Sequence, residues 1–234
     1  MKIHIGFAVA MTVAMSWGIS PPDAQAYEQY VLGGDEHPWQ ASWETSGAVT
    51  LMDTSRVLQP LKLDPTQNIA MGFQDRGGFS WKTYGDPALG GVNEIFDGDS
   101  TTVLVGEFQL RFVGRVSNTR PAVDLGESFP VHRIVFYPRS TYPDRYLDRF
   151  RLHINDGTNL DNLGRPVWQL IREEHENIDP VVETKIPLQL IQFVYIYPWQ
   201  NRQWEIAELE IYGEGYVPNA SYTSDIVDFG EIAS

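Results

Sequence analysis

The sequence predicts an all-β protein built as an antiparallel β-sandwich, and three observations support that prediction. From Phe108 onward, apolar and polar residues alternate with a period of two, which is typical of half-buried strands. Turn residues such as Gly, Pro, Asn and Asp separate these stretches. No stretch keeps the apolar period of 3.6 that an amphipathic helix shows. Many short strands joined by turns favour a sandwich or a barrel.

The strand candidates follow one another along the main body of the chain. The run over residues 190–197 is apolar at both odd and even positions, which indicates a central strand covered on both faces. The other candidates are the alternating stretch Phe108, Leu110 and Phe112, and residues 131–137, 150–154, 167–171 and 205–212.

The N-terminus has the pattern of a secretory signal peptide. An apolar run over residues 5–19 is followed by two prolines and the small-residue sequence Ala24-Gln25-Ala26. The run is shorter than the roughly 20 residues that a membrane-spanning helix needs. We therefore expect residues 1–26 to be removed on export and expect no membrane insertion.

The rest of the chain divides into three parts. Residues 27–67 are irregular and rich in turn residues, and we expect one or two strands in this lead-in. Residues 68–213 hold the strand pattern and form the predicted sandwich domain. In residues 214–234 a weak apolar pattern starts and stops, which indicates a C-terminal extension or the start of a truncated further domain.

Composition narrows the function classes. The chain has no cysteine, which excludes a disulfide framework and any thiolate nucleophile or zinc ligand. A formal net charge of −14 disfavours nucleic acid and anionic membrane surfaces as partners. Carboxylates in this number can hold calcium, or can simply keep the protein soluble. An exported chain without disulfides favours the bacterial cell envelope or the extracellular space.

Four motifs occur in one order along the predicted sandwich domain. They are the acidic loop Ile95-Phe96-Asp97-Gly98-Asp99-Ser100-Thr101-Thr102, the sequence Ala122-Val123-Asp124-Leu125-Gly126 before a strand, the turn Ile154-Asn155-Asp156-Gly157 leading to Trp168, and the stretch Ile206-Ala207-Glu208-Leu209-Glu210-Ile211-Tyr212-Gly213. Together they resemble the discoidin or coagulation-factor C-type domain family, which includes galactose-binding carbohydrate modules. One residue departs from the pattern, since Leu104 stands where an aromatic residue commonly follows the acidic loop.

The resemblance implies a jelly-roll β-sandwich of the galactose-binding-domain type with one structural calcium ion. Asp97 and Asp99 flank a flexible glycine, so the loop can present side-chain and carbonyl oxygens to one centre, near the hydroxyl of Thr101 or Thr102. Calcium takes six to eight oxygens, more than this loop supplies alone. In the family a glutamate of the closing strand completes the shell, and here that residue is Glu208. An Asp-Gly turn and a surface glutamate are the alternative.

Two segments that mix aromatic, basic and amide residues form the candidate ligand site. One contains Arg139 and Tyr142 and runs to Asp148, and the other is Trp199-Gln200-Asn201-Arg202-Gln203-Trp204. Sugar sites pair an aromatic platform with a few fixed donors and acceptors, and both segments fall between predicted strands. We expect Trp199 to be exposed and to stack on the ligand. Asn201 and Arg202 would fix its hydroxyl groups, assisted by Arg139 and Tyr142. Purely structural roles for these residues are the alternative.

No catalytic motif stands out. The stretch Glu173-Glu174-His175-Glu176 lacks the His-Glu-x-x-His order of zinc proteases, and no Gly-x-Ser-x-Gly sequence is present. Carboxylate pairs for glycoside hydrolysis are spatial and are not visible in a sequence. We therefore predict no catalytic residues and no enzyme activity.

The sequence favours a secreted, non-catalytic module that binds carbohydrate, most readily a neutral glycan, with a structural calcium ion. Two other classes stay open. One is a structural or cell-surface assembly and adhesion protein that uses the sandwich as a protein–protein interface. The other is the binding module of a larger, truncated enzyme. The partner would be a glycan or another cell-surface ligand, and the sequence leaves both the sugar and the oligomeric state undetermined.

Overall fold

The computed structural model describes residues 60–82, 92–106, 119–200 and 202–219, together with the backbone of short strand pieces at 3–4, 44–45, 49–51, 58–59 and 221–223. Within these residues the chain forms antiparallel strands and 3-10 turns at Gln74–Arg76, Asn93–Ile95 and Pro143–Arg145, without an α-helix. The predicted all-β, antiparallel fold class is therefore confirmed. The same residues contain no helix long and apolar enough to cross a membrane.

Most strands along the chain are short, and two of them, Ala122–Tyr137 and Val182–Pro198, are long. In order they are β1 Ile3–His4, β2 Glu44–Thr45, β3 Val49–Leu51, β4 Leu58–Pro60, β5 Lys62–Leu63, β6 Ser80–Trp81, β7 Leu104–Gly106, β8 Ala122–Tyr137, β9 Phe150–Asn155, β10 Gln169–Glu174, β11 Val182–Pro198, β12 Trp204–Ile206, β13 Glu208–Gly213, β14 Gly215–Tyr216 and β15 Ser221–Thr223.

The main sheet has the strand order β10, β9, β11, β8, β13, and β6 pairs with one end of β8. The pairs in this sheet are antiparallel. The run over residues 190–197 lies within β11, between β9 and β8, so its central position is confirmed. The predicted cover on both faces holds for residues 193–196 but not for Leu190, which is 45% exposed, or for the half-buried Tyr197. The candidates at 131–137, 150–154, 167–171 and 205–212 correspond to β8, β9, β10 and the pair β12 and β13. The candidate at Phe108 lies outside the described residues.

The core lies against one face of this sheet. Alternate side chains of its strands point to that face and are almost fully buried, because a strand turns successive side chains to opposite sides. They include Ile134, Phe136, Phe150, Leu152, Ile154, Val194, Ile196, Leu209 and Ile211. The two-stranded pair β7 and β12 adds the buried side chains of Leu104, Trp204 and Ile206. Each such side chain contributes roughly 1.5–3 kcal/mol through burial. Leu104 therefore packs in the core, at the position where the resembled family commonly has an aromatic residue.

The chain divides into two compact units. One is Leu63–Tyr216 and contains the main sheet, and the other comprises Met1–Lys62 and Val217–Ser234. In the second unit β15 lies between β1 and β2, and β3 pairs with β4. The predicted boundaries of the signal peptide, lead-in, sandwich domain and C-terminal extension stay predictions.

Candidate functional site

The acidic loop gathers oxygen atoms around one hydroxyl group. The loop follows the 3-10 turn Asn93–Ile95, and Gly98 takes a φ of 77°, a left-handed conformation that favours glycine. The Thr102 Oγ1 lies 3.0 Å from the Glu94 carbonyl, 2.8 Å from the Asp99 carbonyl, and 3.1 and 2.9 Å from the two carboxylate oxygens of Asp97. Backbone N–H groups of Asp99 and Thr102 also donate to Asp97 Oδ1 and to the Asp99 carbonyl, at 2.8 and 3.0 Å. The single hydroxyl proton can serve only one of the remaining acceptors, the Glu94 carbonyl and Asp97 Oδ2.

Glu208, the first residue of β13, faces this loop with a buried carboxylate. Its side chain is only 2% exposed, and neither carboxylate oxygen has a hydrogen-bond partner among the described residues. Burial, and secondly the charge of nearby Asp97, together raise the pKa of Glu208 to about 7. A buried carboxylate without a partner is unfavourable, and a bound cation would remove that penalty.

The oxygens at the acidic loop suit calcium, which prefers hard oxygen ligands. They would come from the carboxylates of Asp97 and Glu208, the carbonyls of Glu94 and Asp99, and the hydroxyl of Thr102. The described residues contain no group of three or more His, Asp or Glu side chains at one point, so such a site would combine two carboxylates with backbone and hydroxyl oxygens.

The carboxylate of Asp99 is already used within the loop. Its Oδ1 accepts hydrogen bonds from the Thr101 backbone N–H at 2.9 Å and from the Thr101 hydroxyl at 2.6 Å. These bonds lower the pKa of Asp99. The backbone carbonyl of Asp99, and not its carboxylate, therefore faces the loop centre. The sequence leaves open which of these two groups would face a calcium ion.

The second candidate site centres on a buried glutamate that the sequence prediction did not include. Glu205 in β12 is 1% exposed. Arg139 grips its carboxylate with two hydrogen bonds, at 3.0 Å from Nε and 2.8 Å from Nη2, and Arg145 forms an ion pair with the same carboxylate. Burial alone would raise the pKa of Glu205, but the two arginines outweigh it, so the pKa lies below its usual value.

An exposed tyrosine ring lies against the two arginines. Tyr142 is 42% exposed, and the guanidinium carbons of Arg139 and Arg145 lie 4.9 and 4.1 Å from its ring centroid. These contacts are within the range of cation–π interactions. The buried Glu205 thus holds both arginines in place, and they in turn hold the ring at the surface.

Arg202 and Gln200 join the two predicted ligand segments. Arg202 Nη1 donates to the Asp144 carbonyl at 3.0 Å, its Nε lies 3.3 Å from Asp148 Oδ2, and its guanidinium stacks 4.4 Å from the Tyr146 ring centroid. The buried Gln200 Oε1 accepts a hydrogen bond from the Asp148 backbone N–H at 2.7 Å. The other carboxylate oxygen of Asp148, Oδ1, is buried without a partner in the described residues. The structure therefore brings Arg139, Tyr142 and Arg202 into one surface region.

Trp199 lies elsewhere. Its backbone N–H donates to the Arg149 carbonyl at 3.1 Å, and its half-buried ring contacts Arg149 and the edge of His175, at centroid distances of 5.6 and 5.0 Å. We expected an exposed ring beside Arg202, but a strand turns neighbouring side chains to opposite sides, and Trp199 and Gln200 follow that rule. Asn201 lies outside the described residues.

The sequence contains a signal for Glu205 that the prediction did not use. A charged residue stands between Trp204 and Ile206, and all three side chains are buried. A carboxylate within an apolar strand requires a cationic partner, which in the structure is supplied by Arg139 and Arg145.

No protein-family model matches the sequence, and no curated protein matches it. Solved structures that are similar to the chain are binding modules. The family 32 carbohydrate-binding module of Clostridium perfringens NanJ, solved with galactose, has 17% identity and a TM-score of 0.42, covering 58% of this chain and 91% of that one. The lectin domain of Lectinolysin, solved with Lewis B antigen, has 21% identity and a TM-score of 0.44, covering 65% and 100%.

A third similar structure is the chitosan-binding module 1 of a Paenibacillus chitosanase/glucanase. It has 15% identity and a TM-score of 0.44, covering 63% of this chain and 99% of that one.

Proposed function

We propose that this chain is a non-catalytic module that binds carbohydrate at the surface formed by Arg139, Tyr142, Arg145 and Arg202, called here the loop site. The observation that supports it best is the exposed Tyr142 ring, held by two guanidinium groups that a buried glutamate anchors. A sugar can stack its C–H face on such a ring while neighbouring polar groups bond its hydroxyls. Because the ring and arginines are already positioned, little side-chain entropy is lost on binding.

The charges of the loop site favour a neutral glycan. Its three arginines contact the carboxylates of Glu205 and Asp148, and the exposed Asp144 adjoins Arg145 in the chain, so three carboxylates match them in number. The site therefore has hydrogen-bonding groups but no net charge. The buried, unpartnered Asp148 Oδ1 is an acceptor of the kind that a sugar hydroxyl group can satisfy.

We further propose that the acidic loop holds one structural calcium ion through Asp97, Asp99, Thr102 and Glu208. The buried, unpartnered carboxylate of Glu208 beside the converging loop oxygens supports this proposal. The ion would tie the loop after the turn Asn93–Ile95 to the start of β13.

Secretion and the absence of enzyme activity complete the proposal. The N-terminal pattern supports export to the bacterial envelope or the extracellular space. In the loop site the arginines form ion pairs with carboxylates beside an exposed tyrosine ring. This arrangement is suited to ligand binding. A screen of glycoside, ester and peptide substrates in which turnover disappeared with one carboxylate or serine substitution would contradict the non-catalytic part.

The test of the loop site is a glycan array probed with the mature protein, with and without a calcium chelator, followed by affinity measurements on Tyr142→Ala. Removing a stacking platform typically costs 2 kcal/mol or more, so we expect about thirtyfold weaker binding. Tyr216→Ala is the matched control, because Tyr216 is also exposed, at 51%, and lies in β14. Unchanged affinity in Tyr142→Ala, with normal thermal unfolding, would rule out the loop site.

A further inference from the structure

An aromatic strip runs along one side of the central strand. Phe193, Tyr195, Tyr197 and Trp199 occupy alternate positions of β11 and its continuation, so they share the face of the main sheet that is opposite the core residues Val194 and Ile196. Tyr195 and Tyr197 are nearly parallel, with an interplanar angle of 7° and centroids 6.5 Å apart.

The strip is covered at one end and open at the other. Phe193 and Tyr195 are 8% and 6% exposed, and they pack with Trp81 and Trp168. Tyr197 and Trp199 are only half-buried. The accessible part of the strip is therefore the end formed by these two rings.

Arginines flank the open end on both sides. The guanidinium of Arg120 lies 4.3 Å from the centroid of Tyr197, and Arg151 of β9 is the cross-strand partner of the same tyrosine. The exposed Arg149 lies opposite Trp199, 5.6 Å from its ring centroid. Cross-strand partners point to the same face, so the three arginines surround the two rings.

This region is locally positive on an acidic protein. Of the flanking arginines, Arg151 is paired with a carboxylate, that of Glu173, to which it donates at 2.9 and 2.7 Å. Three arginines against that one carboxylate leave a local charge of about +2, whereas the whole chain has −14. The loop site, by contrast, is balanced.

Hydrogen-bonding capacity is also unused on this face. In the part of the chain that the structure describes, Arg120 Nε, Trp168 Nε1, Trp199 Nε1 and His153 Nδ1 are buried without a partner. All four are nitrogens beside the aromatic strip, since His153 and Trp168 both contact the Tyr195 ring. Buried polar groups without partners are uncommon, and two of these nitrogens, Arg120 Nε and Trp199 Nε1, belong to side chains at the open end of the strip.

We propose that Tyr197 and Trp199, with Arg120, Arg149 and Arg151, form a second saccharide site that binds acidic sugars. The pyranose C–H face would pack on the half-buried rings, and a carboxylate or sulfate group would be held by the arginines, whose planar donors match such groups. The site lies on the open sheet face, away from the loop site, and does not depend on the function proposed for that site.

The test is a calorimetric titration of the mature protein with tetragalacturonate, its fully methyl-esterified form and a chondroitin sulfate tetrasaccharide. The ester keeps the sugar rings and removes the charges, so we expect it to bind at least tenfold more weakly than the acid. Binding of the sulfated probe alone would identify sulfate as the recognised group and support the site. No binding of either acidic probe, or equal binding of acid and ester, would overturn it.

Variants locate the binding. Arg120→Gln and Arg149→Gln are each expected to weaken binding of the acidic probe about fivefold, the effect of one exposed ion pair. Arg165→Gln removes the same charge from an exposed position in the turn between β9 and β10 and is the matched control. An equal loss in Arg165→Gln would show attraction to overall charge alone and overturn the proposal.

Two further measurements separate this site from folding effects and from the loop site. Trp199→Phe keeps a ring and tests the stacking contact, with thermal unfolding measured on the same sample. The indole N–H signal that disappears in Trp199→Phe identifies Trp199 in the NMR spectrum, and the acidic probe should shift that signal. Tyr142→Ala should bind the acidic probe as tightly as the wild type, whether or not the loop site binds a neutral glycan. An unshifted Trp199 signal at saturation would contradict the placement.

Discussion

At the scale of single residues, two buried glutamates three positions apart have opposite chemistry. Glu205 accepts hydrogen bonds from Arg139 and forms a second ion pair with Arg145, and its pKa lies below the usual value. Glu208 has no partner among the described residues, and burial raises its pKa to about 7. The first residue is satisfied within the protein. We propose that the second binds a cation, which would give the two carboxylates different roles.

The roles assigned to the acidic loop predict different effects for its two aspartates. Asp97→Asn removes a carboxylate that faces the loop centre, so we expect calcium to stop raising the melting temperature. Asp99→Asn leaves the backbone carbonyl in place and keeps an amide oxygen that can accept the bonds from Thr101. It removes only the side-chain charge, so we expect a weakened but measurable response. The melting temperature is measured with calcium and with chelator.

Asp161→Asn is the control for these variants, because Asp161 lies in an exposed turn and its carboxylate is paired with Arg165. It should respond to calcium like the wild type. A full calcium response in Asp97→Asn would exclude the proposed ligand set.

Glu205→Gln is expected to destabilise the domain by about 2 kcal/mol at pH 7. Removing one partner of a buried ion pair usually costs more, and the partly exposed arginines reduce the loss. The measurement is denaturant unfolding of wild type and variant. Glu173→Gln, which breaks the more exposed pair with Arg151, should have a much smaller effect.

The pH dependence of this variant has a definite sign. The folded pKa of Glu205 lies below its unfolded value, which is near 4.3 for a glutamate. Its contribution to stability is therefore fully present above that unfolded value and is lost as pH falls through the folded pKa. The stability difference between wild type and Glu205→Gln should shrink as pH falls below about 4. A constant difference from pH 7 to pH 3 would contradict the pairing.

At the scale of secondary-structure elements, the short pair β7 and β12 depends on a glycine that makes room for a tryptophan. Gly106 is the register partner of Trp204, and a Cβ at Gly106 would lie 1.9 Å from the indole Cε2. Trp204 is fully buried and immediately precedes Glu205. The packing of this pair therefore also positions the carboxylate that anchors the loop site.

Gly106→Ala is expected to destabilise the protein by roughly 1–3 kcal/mol, the usual cost of overpacking a core, and to weaken glycan binding at the loop site. Thermal unfolding and glycan affinity are measured together. The double variant Gly106→Ala with Trp204→Leu restores space for the methyl group. The double variant should therefore lose less stability than the sum of the losses of the two single variants. Strict additivity would show that the two residues do not compete for space.

At the scale of the whole molecule, calcium should act as a stabilising ligand. An ion that binds only the folded state stabilises it by mass action, and extracellular calcium sites often bind at about 10⁻⁴ to 10⁻³ M. About 5 mM calcium should then add between about 1 and 2 kcal/mol and raise the melting temperature by roughly 2–8 °C. The scan is compared with one in magnesium, which demands a smaller octahedral site. An equal shift with magnesium would indicate general screening of the −14 charge.

The two proposed binding surfaces differ in their local charge. The loop site balances its arginines with buried or adjoining carboxylates, while the open end of the aromatic strip leaves arginines in excess. A protein with a strongly negative overall charge repels acidic glycans at long range, so their capture requires such a local excess of positive charge. The two surfaces are therefore separable by the charge of the glycan.

The sequence by itself determined the features that depend on neighbours along the chain. Alternation identified β9, β10 and β13 and the second half of β8, and the run that is apolar at odd and even positions placed β11 at the centre of the main sheet. The spacing of Asp97, Asp99 and Thr102 indicated a loop whose oxygens converge. These properties follow from backbone geometry with a period of two or from turn chemistry over a few residues.

Only the tertiary structure decided which distant groups meet and which face a side chain takes. Arg139 reaches Glu205 across 66 positions, and Glu208 is buried without a partner because β13 pairs with β8 beside the acidic loop. Trp199 lies one position from Gln200 but on the opposite side of the sheet, since a shift of one residue in a strand reverses every side chain. Which charged groups pair, and to which face of the sheet a side chain points, depend on strand register across the whole sheet. Local sequence patterns do not specify that register.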